Sequence, residues 1–254
     1  MSVYVYGMAR ADHPALPEKA PGVGEPPCEV RIVREGGLAA IVSDCPEDLR
    51  PKRRDLLAHQ RVLTEAGAAG PVLPLRFGSL SDDEGTVRGV LSDHADHYLR
   101  QLEELDGRSE YNVKAVHHEE EVLRLVLSED DEARALAQRN RASGGGSHED
   151  KLRLGEMLAT AVREREERDA HLIESTLAPL AKRCVPGPDG SGWLANLSFL
   201  LDHDASEEFT AAVAELVRGN PHLDIRATGP LPPYSFVERP VQDEARQPAP
   251  SPAG

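Results

Sequence analysis

The chain has 254 residues, enough to bury the core of one large domain or two small ones, and its 29 Lys and Arg against 44 Asp and Glu give a formal charge of −15. Such an acidic chain repels phosphate backbones, which disfavours nucleic-acid binding, and it has no apolar run long enough to span a membrane. The first residues, MSVYVYGMAR, do not have the pattern of a secretory signal, so we expect none. The three cysteines are widely spaced and form no CxxC pair, which excludes a zinc ribbon and predicts a soluble, intracellular protein with free thiols.

The first 117 residues contain short β-type patterns interrupted by two helical ones. The predicted elements are a strand at 2–8, a hairpin of 29–34 and 38–43, a helix at 51–66, an extended segment at 71–78, a helix at 81–105 and a strand at 111–117. Residues 81–84 are predicted to form a capping box. This order predicts an α+β unit, with helices on one face of a mainly antiparallel sheet in a ferredoxin-like arrangement.

The composition changes after residue 117. Residues 119–141 are acidic and helix-prone, a Gly-rich turn follows at 143–147, and a long helix is expected from 148 towards 180. Together they predict a coiled-coil-like helical hairpin at 119–181. The middle of the long helix, residues 163–171, is polar all round, which is typical of a helix that bridges solvent or pairs its charges.

A second strand and helix pattern closes the chain. A strand is predicted at 193–201, a helix follows the cap pair Asp204 and Glu207, and the last strand covers 223–228. We therefore expect two ferredoxin-like α/β sandwich domains with antiparallel sheets. The first comprises 1–117, the second comprises 118–238 with the hairpin, and 239–254 forms a disordered tail rich in proline.

The segment after the last strand, Thr228-Gly-Pro-Leu-Pro-Pro-Tyr-Ser-Phe-Val237, has the clearest local signature. Gly229 lacks a Cβ, and three prolines in four residues remove backbone donors, so the strand must end there or continue only along a sheet edge. Tyr234 and Phe236 then bring the chain back to apolar surface, which predicts a rigid, non-helical segment packed on the core.

Few residues suggest chemistry. His59 lies on an apolar helix face as a core histidine would. Arg76 interrupts an apolar strand and must pair or reach the surface; we expect it to pair with a carboxylate, with an exposed docking contact as the alternative. His94 and His97 lack a third metal ligand nearby, and the glycines at 144–146 lack the GK[ST] of a phosphate loop. His117-His118-Glu119-Glu120 lies where a strand meets a helix, and acidic residues at a helix N-terminus explain it better than metal ligation. One alternative stays open, a ligand-binding or enzymatic pocket formed by His59, Arg76 and His94.

Several segments together carry a family resemblance. TGPLPPYSFV resembles the C-terminal signature of the gas vesicle protein F/L family, with Leu231 at a position where the family commonly has Trp. Further segments similar to the family, in order, are VLPLRFG at 72–78, EYNVK at 110–114, KLRLGE at 151–156 and NLSFLLD at 196–202. These ordered matches span most of residues 1–238, which makes them more specific than any single motif.

The resemblance implies a two-domain α+β protein with a helical hairpin that serves as an accessory or minor component of gas vesicles. It implies a non-enzymatic role, without cofactor or metal, located at the gas vesicle in the cytoplasm. The expected partners are the small hydrophobic shell subunit and other gas vesicle accessory proteins. A face that binds the shell subunit should have an apolar centre and a polar rim. The candidate contact residues are Leu73, Arg76, Phe77, Tyr234 and Phe236.

Overall fold

The computed structural model describes residues 2–47, 49–187, 192–238 and 240. The chain divides into two compact units: unit 1 comprises Met1–Asp106 and Phe236–Gly254, and unit 2 comprises Gly107–Ser235. The predicted disordered tail at 239–254 lies outside the described residues except for residue 240. No helix in the described part of the chain has the length and apolar character needed to cross a membrane.

Unit 1 is built on an antiparallel sheet. Its elements are β1 (Val3–Arg10), β2 (Arg31–Glu35), β3 (Leu38–Asp44), α1 (Arg53–Gly67), β4 (Val72–Pro74), β5 (Leu80–Ser81), α2 (Glu84–Asp93) and α3 (Ala95–Glu104). The strands lie in the order β2-β3-β1-β4, and β5 also pairs with β1. β4 is an edge strand, which explains how Pro74, with no backbone N–H, fits into the sheet.

Both faces of this sheet are covered, whereas the sequence predicted helices on one face only. Successive side chains of a strand point to opposite faces. The rings of Tyr4 and Tyr6 lie 5.7 and 5.6 Å from that of His59 on α1. Val5, between them, lines a groove together with Val87 of α2. Burial on both sides explains why β1 is apolar almost throughout rather than alternating.

Unit 2 has a four-stranded antiparallel sheet in the order β7-β8-β6-β9. Its elements are β6 (Arg108–His117), α4 (Glu119–Glu129), α5 (Asp131–Ala142), α6 (His148–Leu177), β7 (Arg183–Pro186), β8 (Ala195–Asp202), α7 (Ser206–Gly219) and β9 (Leu223–Leu231). One sheet face packs under α7 and the C-terminal part of α6. The core there includes Tyr111, Phe199, Phe209, Ile173 and Leu177.

The strand predicted to close the first unit belongs to the second sheet. β6 pairs with β8 along Arg108–Ala115 and with β9 along Glu110–His117. The boundary between the units therefore falls between Asp106 and Gly107, about one strand before the predicted position. Periodicity identifies a strand but does not say which partner it pairs with, and this explains the error.

Two predicted helices are each divided in two. The helix expected at 81–105 forms α2 and α3, which meet at His94. The N-cap of α2 is Asp83 rather than Ser81, because the Asp83 side chain accepts a hydrogen bond from Thr86 N. The helix expected at 119–141 forms α4 and α5, because Asp130 leaves the helical conformation and caps the second of them. Apolar spacing continues across both breaks, so the pattern did not reveal them.

The two sheets share one connectivity. In each unit the first strand is central, the next two form an antiparallel pair beside it, and the fourth follows a helix and pairs on the other side. The connection between the first and second strands differs. In unit 1 it has no helix, whereas in unit 2 it contains α4, α5 and α6.

Candidate functional site

A buried polar cluster holds the segment after β4 in unit 1. His59 is 4% exposed, and burial lowers its pKa, an effect only partly offset by the hydrogen bond to the Leu75 carbonyl. Its Nε2 lies 3.0 Å from the carbonyl oxygen of Leu75, which can only accept, so Nε2 carries the proton. Nδ1 then accepts from the hydroxyl of Tyr4 at 2.8 Å. Both ring nitrogens are thus used in fixing this segment, as expected for a core histidine.

The segment that His59 fixes carries three predicted contact residues in different environments. Leu73 is fully buried, Phe77 is half-buried and Arg76 is exposed. The Arg76 guanidinium forms no ion pair within the described part of the chain. The expected pairing with a carboxylate is therefore wrong, because the side chain reaches the surface. Its backbone carbonyl accepts hydrogen bonds from the N–H and hydroxyl of Ser79, which closes a turn.

An apolar groove lies beside this turn. It has a volume of about 420 Å³ and runs between α2 and the sheet face opposite α1. Its apolar lining consists of Val5, Met8, Ala40, Leu75, Leu80, Val87, Val90 and Leu91. Four hydroxyl residues and a single charged one, Asp82, complete the lining. Such a volume is in the range of pockets that accept a small ligand or a few side chains of a partner. The sequence analysis did not identify this groove, because its walls come from elements distant in sequence.

His59, Arg76 and His94 do not form a common pocket. None of them lines the groove, His59 is enclosed in the core, and Arg76 is exposed on the turn. His94 is half-buried where α2 meets α3, with its ring 6.1 Å from that of Tyr98. The neighbouring His97 lies 3.1 Å from the carbonyl of Glu238. Within the described residues, these side chains therefore lie in separate environments.

Unit 2 contains a buried charge cluster that sequence reasoning missed. Asp169, in the polar middle of α6, is 1% exposed, and its Oδ2 accepts from Nε2 of both His117 and His222 at 2.9 Å. The Nε of Arg165 donates to both carboxylate oxygens at 3.0 Å, and its guanidinium also pairs with Glu129 of α4. Burial would raise the Asp169 pKa, but these hydrogen bonds outweigh it and hold the pKa below its ordinary value.

His117, Asp169 and His222 also have the ligand types of a metal site, with candidate ligand atoms within 4.8 Å of one another. The guanidinium of Arg165 lies 3.2 Å from Nε2 of His222. It also donates to both oxygens of Asp169, where a metal ion would have to bind. A divalent ion on these ligands would lie within about 4 Å of that charge, where an effective dielectric of about 20 gives a repulsion of about 8 kcal/mol. The cluster therefore fits an internal ion-pair network better than a metal centre. Of the two explanations for the polar middle of the long helix, the structure supports the one in which its charges are paired.

The C-terminal segment is fixed through its serine. Ser235 donates its backbone N–H and its hydroxyl to the carboxylate of Glu110, at 2.8 and 2.7 Å. Glu110 is 4% exposed. Burial, with a smaller contribution from the Glu110 charge, raises the pKa of the half-buried Tyr234 to about 12. Phe236 is 2% exposed. The predicted packing of this segment is confirmed for Phe236, but Tyr234–Phe236 form a 3-10 helix where a non-helical segment was predicted.

Gly229 and the prolines behave as their chemistry predicts. β9 continues through Gly229 and Pro230 to Leu231 as an edge strand of the second sheet. A Cβ on Gly229 would lie 2.5 Å from the ring of Tyr111, so only glycine fits against this ring. Glycine at 229 is therefore required by the packing of the edge strand on its neighbour, and the edge position tolerates the missing N–H of Pro230.

Comparison with known proteins places this arrangement in a family. The family model described as "Gas vesicle synthesis protein GvpL/GvpF" matches residues 2–238. The chain belongs to the GvpL/GvpF family. Gas vesicle protein F of Streptomyces sp. (strain CB03234) is 56% identical over 238 residues, which cover 94% of this chain and 100% of that protein. Gas vesicle protein L of the same strain is 33% identical over 265 residues and covers 92% of each chain.

Two crystal structures of GvpF share the fold. That of GvpF from Anabaena sp. PCC7120 has a TM-score of 0.73 at 24% identity and covers 94% of this chain and 99% of its own. That of GvpF from Microcystis aeruginosa has a TM-score of 0.68 at 20% identity, with 92% and 98% covered. The resemblance predicted from the ordered motifs is confirmed, and so is the mixed fold of helices and antiparallel sheets. Membership of GvpL/GvpF gives the chain a role in gas vesicles.

Proposed function

We propose that this protein is a non-enzymatic assembly factor of gas vesicles that binds the hydrophobic shell subunit before or during assembly. Binding would cover apolar surface of the subunit and so limit its aggregation. The observation that carries this proposal is the match to the GvpL/GvpF family over residues 2–238. The strongly acidic composition, with a formal charge of −15, supports it, because charge repulsion keeps a complex with an apolar partner dispersed.

The arrangement of polar residues favours binding over catalysis. An enzymatic pocket would need His59, Arg76 and His94 to converge, whereas they lie in three different environments. Both ring nitrogens of His59 are already committed to Tyr4 and Leu75. No specific observation in the described residues favours the alternative of a ligand-binding or enzymatic ferredoxin-like domain.

Three of the five predicted contact residues remain candidates for the partner surface. Arg76 is exposed, and Phe77 and Tyr234 are half-buried, so part of each side chain is accessible to a partner. Leu73 and Phe236 are 0% and 2% exposed. The prediction that Leu73 and Phe236 contact the partner directly is therefore wrong, because both are buried. Their role is to support their exposed neighbours by packing in the core.

The shared connectivity supports a finer description of the fold. We infer that unit 2 is a ferredoxin-like β-α-β-β-α-β sandwich whose first helical connection is enlarged into a hairpin of α4 and α5 against α6. Unit 1 would be the same sandwich with a loop in place of that helix. We further propose that the protein acts in the cytoplasm at the gas vesicle, with other gas vesicle accessory proteins as partners and without nucleic acid.

An aggregation assay tests the proposal. Shell subunit diluted from denaturant is followed by light scattering with and without equimolar full-length protein. The proposal predicts suppressed scattering and a complex containing both chains on size exclusion. Serum albumin at the same concentration is the control for nonspecific protection. Scattering that falls no further than with albumin would count against the proposal.

A further inference from the structure

We propose that the apolar groove between α2 and the sheet of unit 1 is the docking site for an apolar segment of the shell subunit that carries a basic residue beside its apolar side chains. This inference rests on the proposed function and specifies where the shell subunit binds and by what chemistry. It adds a surface, centred on Leu80, Val90 and Asp82, that the sequence did not indicate.

The groove combines a buried floor with an exposed apolar rim. Ala40 at the floor is 0% exposed, whereas Leu80 on β5 and Val90 on α2 are 53% and 39% exposed. Large apolar side chains at the surface are common singly, but these two line the same concavity of about 420 Å³. A partner that fills it removes both from water and gains the free energy of their burial.

The rigidity of one wall favours binding. Two buried side chains fix the turn that leads to Leu80. Nε2 of His59 donates to the Leu75 carbonyl at 3.0 Å, and the N–H of Gly78 donates to the hydroxyl of Tyr4. Leu80 itself pairs with Tyr4 in the sheet. A wall fixed before binding loses little conformational entropy when a partner docks.

The charge at the groove indicates the partner's chemistry. Asp82 is the one charged residue of the lining; it is exposed and forms no ion pair or side-chain hydrogen bond with any described residue. The two acidic residues that follow are already engaged. Asp83 caps α2 by accepting from Thr86 N at 2.7 Å, and Glu84 pairs with Arg31 at 3.2 Å. A carboxylate left unpaired beside an apolar groove complements a Lys or Arg next to apolar side chains.

The size of the groove limits the occupant to a few side chains. A volume of about 420 Å³ holds two or three apolar side chains of one helical turn or strand, not a whole subunit. The groove would therefore act as an anchor within a wider contact, as the central apolar pockets of protein interfaces do.

Binding measurements with matched variants test the inference. Full-length tagged protein is co-expressed with the shell subunit, and the amount of subunit retained per chain and its dissociation constant are measured. Leu80→Ser and Asp82→Lys should each weaken binding about tenfold or more. Leu57→Ser and Glu65→Lys are the matched controls, because Leu57 is also 53% exposed and both lie on α1, against the opposite sheet face.

A third variant separates docking from folding. Ala40→Leu enlarges the floor into the groove and should abolish binding; because overpacking a buried position lowers stability, binding is measured below the melting temperature of the variant, where circular dichroism shows it folded. If wild type binds and the Leu80, Asp82 and Ala40 variants bind within twofold of the α1 controls, the groove is not the site, and the proposed function stands. If wild type binds no shell subunit, both fail. If Leu80→Ser instead changes the oligomeric state of the chain alone, the occupant is a second copy, and the proposal is overturned.

Discussion

Ser235 satisfies the buried carboxylate of Glu110 with two hydrogen bonds, one from its backbone N–H at 2.8 Å and one from its hydroxyl at 2.7 Å. No cation pairs with this carboxylate in the described part of the chain. The two hydrogen bonds from Ser235 therefore offset the free-energy cost of burying the Glu110 carboxylate away from water. This explains why a serine lies between Tyr234 and Phe236.

We expect Ser235→Ala to destabilise the protein by about 1–3 kcal/mol, because it removes the hydroxyl and leaves one oxygen of Glu110 without its donor. Chemical denaturation measures this loss. Ser175→Ala is the control, since its hydroxyl bonds only to the carbonyl of Leu172 on the exposed side of α6. Equal stability of the two variants would show that the Glu110 carboxylate does not need this donor.

Tyr234 and Phe236 should respond differently to truncation. Phe236→Ala removes a buried aromatic side chain and should cost roughly 3–5 kcal/mol of stability, with loss of shell-subunit binding only through unfolding. Tyr234 is half-buried, so a folded Tyr234→Ala variant should bind the shell subunit more weakly and lose less stability than Phe236→Ala does. Pull-down with folded protein decides this, and undiminished binding would remove Tyr234 from the interface.

The buried His59 should make stability fall in mild acid. Its folded-state pKa lies below the ordinary value of 6.5, so the unfolded chain takes up a proton at a higher pH than the folded protein does. The stability contributed by the neutral ring is fully present above pH 6.5 and is lost as pH falls through the folded-state pKa. The unfolding free energy should therefore drop more between neutral and acidic pH for wild type than for His59→Gln. Parallel pH profiles would contradict this account.

Purified protein should contain no stoichiometric zinc, because Arg165 already supplies the positive charge at Asp169, and His94 has no converging ligands. Elemental analysis after exposure to zinc and desalting is the measurement. Near-stoichiometric metal that disappears in His222→Ala would show that the cluster in unit 2 binds an ion. Metal lost instead in His94→Ala would place the ion in unit 1.

Much of the fold could be predicted because local patterns determine local elements. The predicted hairpin at 29–34 and 38–43 is observed as β2 and β3, since Gly36-Gly37 allows the tight turn between them. The edge position of Pro230 followed from its missing N–H. Assignment of β6 to its sheet failed, because strand pairing depends on contacts between residues more than 80 apart, such as Tyr111 with Phe199.

The candidate site was predictable only in part. Arg76 was identified because a charge within an apolar strand needs an explanation, and the structure places it at the surface. Asp169 was missed, because a carboxylate in a polar helix stretch resembles a solvated one until His117 and His222 are known to meet it. The groove was missed for a similar reason, since its walls at Ala40 and Val90 are joined only by folding.

The most direct test of the central claim is co-purification of the shell subunit with full-length tagged protein from cells that express both. We expect the shell subunit to be retained on the affinity resin in a defined ratio. Leu80→Ser should reduce that ratio about tenfold, and Leu57→Ser should leave it unchanged. Absence of the shell subunit from the purified wild-type protein, when both chains are expressed and this protein is folded, would contradict the account.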